Sequence, residues 1–387
     1  MSNRWWLIVR VLCAFAACGC HVAAAAEWSM QPTIQWYFDH DSNRLLTPTN
    51  EVADEAAWLT IDALLKRATE TGEIDFHPLV EIQRFIGGSE LDSKNGSLQL
   101  AAMSKGEIYS YSATAQYSDN STLISELANT GIVDSATRQE AATVSATGTR
   151  DFTERQRVDL QGSYADVKYP SGERVGLVGY SDPSVSTTYE FSYSPQTIFS
   201  ALVSASRVTA PDVNFESRDV GLRAAWAYIV SPTTNVSLSA GITHTDIAAT
   251  EVNGSIWALK STHNSELTQW SFSITRDIVP SGFGLLIRRD ELDLSMIRSV
   301  ASRLDATLSA LAAHNSDLVS NFTGDNRRYI TGIAGVSWHA APEWVWSFTV
   351  QASAARVPSA VADLQLASGW QTALNIKWTP LPWTKSR

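Results

Sequence analysis

Cysteine is nearly absent from this sequence. Among 387 residues only Cys13, Cys18 and Cys20 are cysteines, so the rest of the chain can form neither a disulfide nor a thiolate metal site. This distribution is compatible with export to an oxidising compartment, where an unpaired thiol is a hazard.

Charge is also scarce, and its balance is negative. Charged residues make up 18% of the chain, below the usual fraction of about 25%. The formal net charge is −11, which gives a nucleic-acid partner no electrostatic support. At 44% apolar and 10% aromatic residues, the composition is not that of a disordered chain.

Long hydrophobic runs are confined to the N-terminus. Arg4, the apolar stretch 5–18 and the small residues Ala24–Ala26 form the pattern of a signal peptide over residues 1–26, which predicts cleavage after Ala26. Arg10 interrupts the stretch and leaves it too short for a transmembrane helix. The mature protein is then expected to be a single unit, residues 27–387.

A lipoprotein anchored through Cys18 or Cys20 is the alternative, disfavoured because the usual leucine before the cysteine is missing. After Ala26 no run of about 18 residues is both apolar and uncharged, so no second membrane helix is predicted. The mature chain is expected in the periplasm, outside the cell, or in the outer membrane as a β-barrel.

Apolar residues then recur at every second position. In the segment 235–243, Val236 and Leu238 would lie on opposite sides of a helix, and only a β-strand brings them to one face. The segments 54–64 and 254–261 are the least regular, so sixteen strands is an alternative to eighteen. The alternation predicts strands near residues 28–38, 54–64, 73–85, 96–104, 107–118, 139–150, 156–168, 184–193, 197–208, 217–229, 235–248, 254–261, 266–276, 285–298, 304–314, 328–340, 344–356 and 368–379.

Two further patterns favour a membrane barrel over a soluble sandwich. Apolar rows often begin or end with an aromatic residue, as Trp28 and Phe38 do, which is typical of the aromatic girdles at membrane interfaces. Short turns, such as 104–107 and 151–155, alternate with longer loops, such as 39–53 and 119–139. We therefore predict an all-β fold, a transmembrane antiparallel up-and-down β-barrel of about 18 strands, with both termini on the periplasmic side.

Three further segments are distinctive: WSMQPTIQWYFDHDSNRLL (28–46), YSDNSTLISELANTGIVD (117–134) and VPSGFG (279–284). In these segments the chain resembles a family of Gram-negative outer-membrane β-barrels of poorly defined function, often encoded beside exopolysaccharide and exosortase (PEP-CTERM) loci. The resemblance implies a barrel that moves or handles surface polysaccharide and supplies no catalytic residues. Such barrels usually end in an aromatic residue, whereas this chain continues as TPLPWTKSR after Trp378, so that Trp378 or Trp383 takes this role or the last strand is shifted.

Chemical motifs are weak. Asp39, Asp41 and Asn43 match the start of a calcium loop, but Arg44 replaces the turn glycine and Asn50 the final glutamate, so a polar turn is the favoured interpretation. We predict no metal and no cofactor.

An enzyme is not predicted either. The histidines are scattered singly, and no G-x-S-x-G occurs. His244 near Asp246 suggests an alternative, a lipid- or polymer-modifying enzyme at the barrel rim, but solvation of a loop explains the pair equally well.

Charged residues among inward-facing serines and threonines are the better functional candidates, since rings of charge set the selectivity of pores. We predict a passive pore or export conduit, plausible for polysaccharide, in contact with outer-membrane lipid, lipopolysaccharide and periplasmic polysaccharide-export components. A non-conducting structural barrel is the alternative, and the loop 119–139 is expected either to fold inward as a constriction or to stay outside. The candidate pore-lining residues are Arg157, Asp159, Glu190, Asp219, Arg223, Asp305 and Lys377.

Overall fold

Nearly all of the chain that the structure describes is β-strand. The computed structural model describes residues 26–48, 51, 53–86, 91–122, 137–170, 176–247, 250–282, 286–318, 327–357 and 365–386. The predicted signal peptide, apart from Ala26, and the middle of the loop 119–139 lie outside these ranges. None of the helical segments in the described ranges has the length and hydropathy needed to cross a membrane.

The strands follow one another along the chain, and a three-residue 3-10 helix, Pro211–Val213, lies between the ninth and tenth strands. The strands are β1 (Glu27–Asp41), β2 (Asp54–Ala68), β3 (Gly72–Phe85), β4 (Ser93–Lys105), β5 (Tyr109–Ser121), β6 (Arg138–Thr153), β7 (Gln156–Lys168), β8 (Tyr180–Ser194), β9 (Thr197–Ala210), β10 (Phe215–Ser231), β11 (Thr234–Ile247), β12 (Thr250–Asn264), β13 (Thr268–Pro280), β14 (Leu286–Ala301), β15 (Leu304–Asp317), β16 (Arg327–Ala341), β17 (Trp344–Val357), β18 (Gln365–Trp378) and β19 (Trp383–Ser386).

The sheet closes on itself. From β1 to β18 each strand pairs antiparallel with its sequence neighbours, and β1 also pairs with both β18 and β19. Because β18 and β19 occupy successive parts of the same side of β1, the barrel has eighteen strand positions. The predicted fold class and strand number are therefore confirmed, and the sixteen-strand alternative is wrong because the segments 54–64 and 254–261 lie within β2 and β12.

The closing seam contains a break. Residues Ile34–Asp41 of β1 pair with β18, and Glu27–Met30 pair with β19, so the intervening residues of β1 face the linker 379–382. Pro32 of β1 and the prolines of the linker, Pro380 and Pro382, have no N–H to contribute to a ladder. The last strand is thus interrupted and resumes one position out of register, with Trp378 and Trp383 on either side of the break.

The two ends of the barrel differ in their connections. At the short-turn end, where β1 begins and β18 ends, strands are joined by two or three residues: 69–71, 106–108, 154–155, 195–196, 232–233, 265–267, 302–303 and 342–343. At the long-loop end the intervals are 42–53, 86–92, 122–137, 169–179, 211–214, 248–249, 281–285, 318–326 and 358–364. The interval between β11 and β12 is the exception at this end, with two residues.

The two faces of the sheet have opposite character. Side chains that are directly opposite in the register share a face, which places Asp219 with Thr245 on one face and Leu222 with Ile242 on the other. Thr245 is fully buried, whereas Ile242 is 67% exposed. The polar face therefore lines the inside of the barrel and the apolar face lies outside.

Aromatic side chains gather on the outer face at the short-turn end. Trp344 stacks on Trp36 at 6.3 Å between ring centroids and lies 6.3 Å from Trp378. Elsewhere in the same belt Tyr109 stacks on Tyr111. Further members of the belt are Trp28, Tyr193, Phe199, Trp226, Tyr228, Trp270, Trp338 and Trp346.

The outer and inner faces should respond oppositely to a new charge. Leu238 is 49% exposed on the outer face of β11, and Ser239 is its neighbour on the inner face. We expect Leu238→Arg to lower the free energy of unfolding in lipid vesicles by about 2–4 kcal/mol, because an arginine on the apolar outer face would lose its hydration to the lipid around the reconstituted barrel. Ser239→Arg is the matched control and should cost far less, as measured by urea unfolding of the inserted barrel. Equal losses in the two variants would contradict this assignment of faces.

Candidate functional site: the inner wall of the barrel

Three of the predicted wall residues form one cluster at the short-turn end. The Arg157 guanidinium donates to the Asp151 carboxylate at 2.7 Å, and Glu190 lies directly opposite Arg157 in the register. Two residues further along β7, the Asp159 carboxylate accepts a hydrogen bond from the Thr149 hydroxyl at 2.6 Å. These hydrogen bonds join β6 to β7 on the inner face, with Glu190 of β8 alongside.

Asp305 lies at the same end on β15. Its carboxylate accepts a hydrogen bond from Ser299 at 2.8 Å and lies 2.8 Å from Nε2 of His339. Serine, aspartate and histidine therefore meet, but the aspartate stands between the other two. A nucleophilic triad needs the histidine between serine and acid, so this order does not activate Ser299.

Lys377 is also near the short-turn end. It lies opposite Gln35 of β1 and Val345 of β17, on the inner face. Its position next to the seam places a positive charge beside the point where the first and last strands meet.

The remaining two predicted residues lie closer to the long-loop end, on β10. Asp219 accepts hydrogen bonds from the hydroxyls of Thr243 and Thr245. The Arg223 guanidinium lies 3.3 Å from the carboxylate of Asp277 on β13. All seven candidates thus share the inner face but fall into two levels, and each level contains both signs of charge.

A buried ionic network at the long-loop end was not among the sequence candidates. The chain leaving β1 places Arg44 among three carboxylates: its guanidinium lies 2.7 Å from Asp39, 2.8 Å from Asp54 and 3.6 Å from Asp41. The side chain of Arg44 is 9% exposed, and those of Asp39 and Asp54 are 0% and 3% exposed. Gln371 of β18 also donates to Asp39, which ties the network to the closing strand.

The arginine explains why the calcium-like spacing does not act as a calcium loop. A cation in such a loop would sit among the carboxylates of Asp39 and Asp41, and the Arg44 guanidinium occupies that position. Asn43 serves the backbone instead, donating to the carbonyls of Thr47 at 2.9 Å and of Ser368 at 3.0 Å. The segment after β1 is therefore a polar turn, and its Asn43 side chain links it to β18 across the seam.

The acids control the ionisation of Arg44. Burial by itself lowers the pKa of this guanidinium, but hydrogen bonds and attraction from Asp39 and Asp54 outweigh it and raise the pKa. In the neighbouring loop, the Phe85 N–H and the Arg84 guanidinium lower the pKa of Asp92. Both groups remain charged at neutral pH.

A second polar network lies beside the first on β3 and β4. Gln83 donates to Glu81 at 2.6 Å and accepts from Ser93 at 2.9 Å, while Asn95 donates to Glu81 at 3.0 Å. Gln83 is 1% exposed and Asn95 is 4% exposed. A small apolar cluster of Ala56, Phe85 and Leu91, with Trp58 packed on it, adjoins them.

These networks fill one sector of the inner wall. Inward side chains of β1 to β4 contact one another near the long-loop end, and the ring of Tyr37 lies 4.9 Å from that of Trp58. The sequence carried a partial signal, because Glu81 and Gln83 occupy polar positions of the alternation. Nothing in it indicated that Arg44 would meet Asp54, because that contact depends on how the intervening loop returns.

The rim histidine has partners that are not nucleophiles. His244 lies 2.9 Å from the side-chain oxygen of Asn253 and 3.2 Å from Asp246, and Glu251 completes an exposed group on the outer face. The pair expected from the sequence is therefore in contact. Neither Asn253 nor the two carboxylates offers a hydroxyl that the histidine could activate.

The fold and the wall together define a closed antiparallel β-barrel with a polar interior and an apolar exterior. No family model matches the chain, and no curated protein matches it. Among solved structures, Acinetobacter baumannii OccAB2 aligns with a TM-score of 0.49 and 12% identity, covering 92% of this chain and 98% of that chain. Pseudomonas aeruginosa OpdK with vanillate aligns with a TM-score of 0.48 and 10% identity, covering 92% and 99%.

The siderophore receptor PirA from Pseudomonas aeruginosa also aligns, with a TM-score of 0.44 and 9% identity over 90% of this chain and 80% of that chain. At these identities the likeness is one of fold.

Removing the central cation of the Arg44 network should be costly. We expect Arg44→Met to lower the free energy of unfolding by about 3–5 kcal/mol, because it leaves buried carboxylates without a counter-charge. The measurement is urea unfolding in detergent micelles, followed by tryptophan fluorescence. Arg155→Met, at an exposed position in a two-residue turn, is the control and should change little. A loss below 1 kcal/mol in Arg44→Met would contradict a structural role for the network.

Proposed function

We propose that the mature chain is an outer-membrane β-barrel that acts as a passive pore or export conduit. The observation that carries the proposal is the reversal of the usual arrangement of side chains, with large apolar residues outside and hydroxyl and charged residues inside. Soluble monomers rarely expose contiguous apolar surface on this scale. Here Val220, Leu222 and Ile242 are 54%, 53% and 67% exposed on adjacent strands.

The outer face fits a lipid bilayer in two respects. The aromatic belt at the short-turn end corresponds to an interfacial girdle, where tryptophan and tyrosine rings favour the boundary between hydrocarbon and headgroups. Short turns at the end that carries both termini correspond to the periplasmic side. The long loops then face outward from the cell, and export through a signal peptide cleaved after Ala26 supplies the route.

The inner face fits an aqueous passage. Barrels of 16–18 strands are wide enough to leave a water-filled channel. Both charged levels of the wall mix acids with bases, so we expect weak discrimination between small cations and anions. A wall of hydroxyl groups with paired charges suits a hydrated, largely neutral polymer. This match, together with the family resemblance, is the reason to propose polysaccharide as the cargo.

A non-conducting barrel is the second candidate, and one observation favours it. The networks around Arg44 and Glu81 pack inward side chains together near the long-loop end and narrow that part of the mouth. A barrel closed there would serve as a structural partner for periplasmic export components and lipopolysaccharide. An enzyme is not proposed.

Conductance in planar bilayers separates these functions. We expect the folded protein to give discrete channel steps, and Arg223→Glu to shift the reversal potential in a salt gradient towards cation selectivity, because it exchanges a positive wall charge for a negative one.

Arg218→Glu makes the same charge change on the same strand but on the outer face, at a 67% exposed side chain, and is the matched control. It should leave selectivity near the wild-type value. Absence of steps from protein that has inserted and folded would overturn the pore and favour the non-conducting barrel.

A further inference from the structure

A row of polar residues crosses the outer face near the long-loop end. The register places Asp290 opposite His314, His314 opposite Arg328, and Arg328 opposite Arg356, on the successive strands β14 to β17. Leu366 of β18 continues the row beside Arg356. The row therefore lies at one level on the side of the barrel that carries the apolar residues.

Among the described residues, the two arginines of this row have no acidic counter-charge. Like charges directly opposite each other on neighbouring strands destabilise a sheet. The acid of the row is already engaged, since Asp290 accepts two hydrogen bonds from Arg276 at 2.5 and 2.8 Å. Within the described part of the chain neither Arg328 nor Arg356 has an acidic partner, and both are exposed. An anion bound at this position would supply the missing counter-charge.

An apolar groove adjoins the arginines. It has a volume of about 540 Å³ and is lined on its apolar side by Ile274, Leu292, Ala312, Ile330 and Ala354. Alanines at two central positions leave a depression where larger neighbours, such as Ile330 at 57% exposure, form the walls. A groove of this kind accepts a hydrocarbon chain, with the arginines at the end nearer the long loops.

We propose that this surface binds a phosphorylated lipid of the outer leaflet, with a phosphate between Arg328 and Arg356 and an acyl chain in the groove. Guanidinium groups form paired, charge-assisted hydrogen bonds with phosphate oxygens. The inference rests on the proposed function in one respect, since it needs the long-loop end of the barrel to lie at the outer leaflet. A lipid with phosphorylated sugars, of the lipid A type, carries both parts of the required chemistry.

The test is lipid binding by the whole mature chain, refolded in lipid-free detergent micelles and examined by native mass spectrometry. We expect diphosphorylated lipid A to bind the wild type, and the double variant Arg328→Gln with Arg356→Gln to bind at least tenfold more weakly. Ala354→Phe, which fills the groove and leaves the arginines in place, should weaken binding severalfold. Folding of each variant is checked by heat-dependent gel mobility.

Arg298→Gln is the matched control, because Arg298 is exposed on the outer face of β14 but lies near the short-turn end. It should retain wild-type binding. Equal binding by the wild type and the double variant would overturn the inference, as would equal binding of dephosphorylated lipid A. Full competition by inorganic phosphate or by phosphatidylglycerol would also overturn it, because the site would then be an unselective anion site.

Failure of this inference can be told apart from failure of the pore. Channel steps without lipid A binding would leave the pore standing and remove the lipid site. Lipid A binding without channel steps would keep the site on a non-conducting barrel.

Discussion

The structure depends on the pairing of its first strand with its last. In a sheet surrounded by hydrocarbon, every backbone N–H and C=O without a partner costs several kcal/mol, and closure removes the two free edges. Here closure is made by β1 against β18 and β19, across a break at the prolines 380 and 382. The Arg44 network and the Asn43 contact to Ser368 cross the same seam at its long-loop end. The backbone ladder of the seam is therefore interrupted near the short-turn end, and side-chain contacts reinforce the seam at the long-loop end.

The fold was readable from the sequence because its rule is local. In a strand the side-chain period is two, and each turn brings the next strand alongside, so alternation in segments such as 235–243 predicts both the strand and its inner and outer faces. All eighteen predicted segments correspond to strands of the barrel. The extra strand β19 was missed, because four residues after a proline-rich linker are too few to show a period.

The networks around Arg44 and Glu81 on the inner wall could not be predicted from the sequence, because their contacts are not local. Arg44 reaches Asp54 only through the return of the loop between β1 and β2, and Asn43 meets Ser368 across 325 residues of chain. Polar positions on the inner face, such as Glu81 and Gln83, are predicted by the alternation, but their burial is not. Which inward residues are covered depends on the loops above them, and loops have no period.

On the outer face, charged residues that interrupt the apolar row of a strand are informative, because each needs a physical explanation. If the outer face lies in lipid, as we propose, it should be apolar throughout, and a charge there is tolerated where it lies near an interface or finds a partner. The Arg276–Asp290 pair satisfies this condition within the protein, whereas Arg328 and Arg356 oppose each other without an acid among the described residues. Sequence alone shows two arginines near strand ends, 28 residues apart. The register makes them neighbours. Their shared position beside a groove that contains two alanines is the basis for the common ligand that we propose.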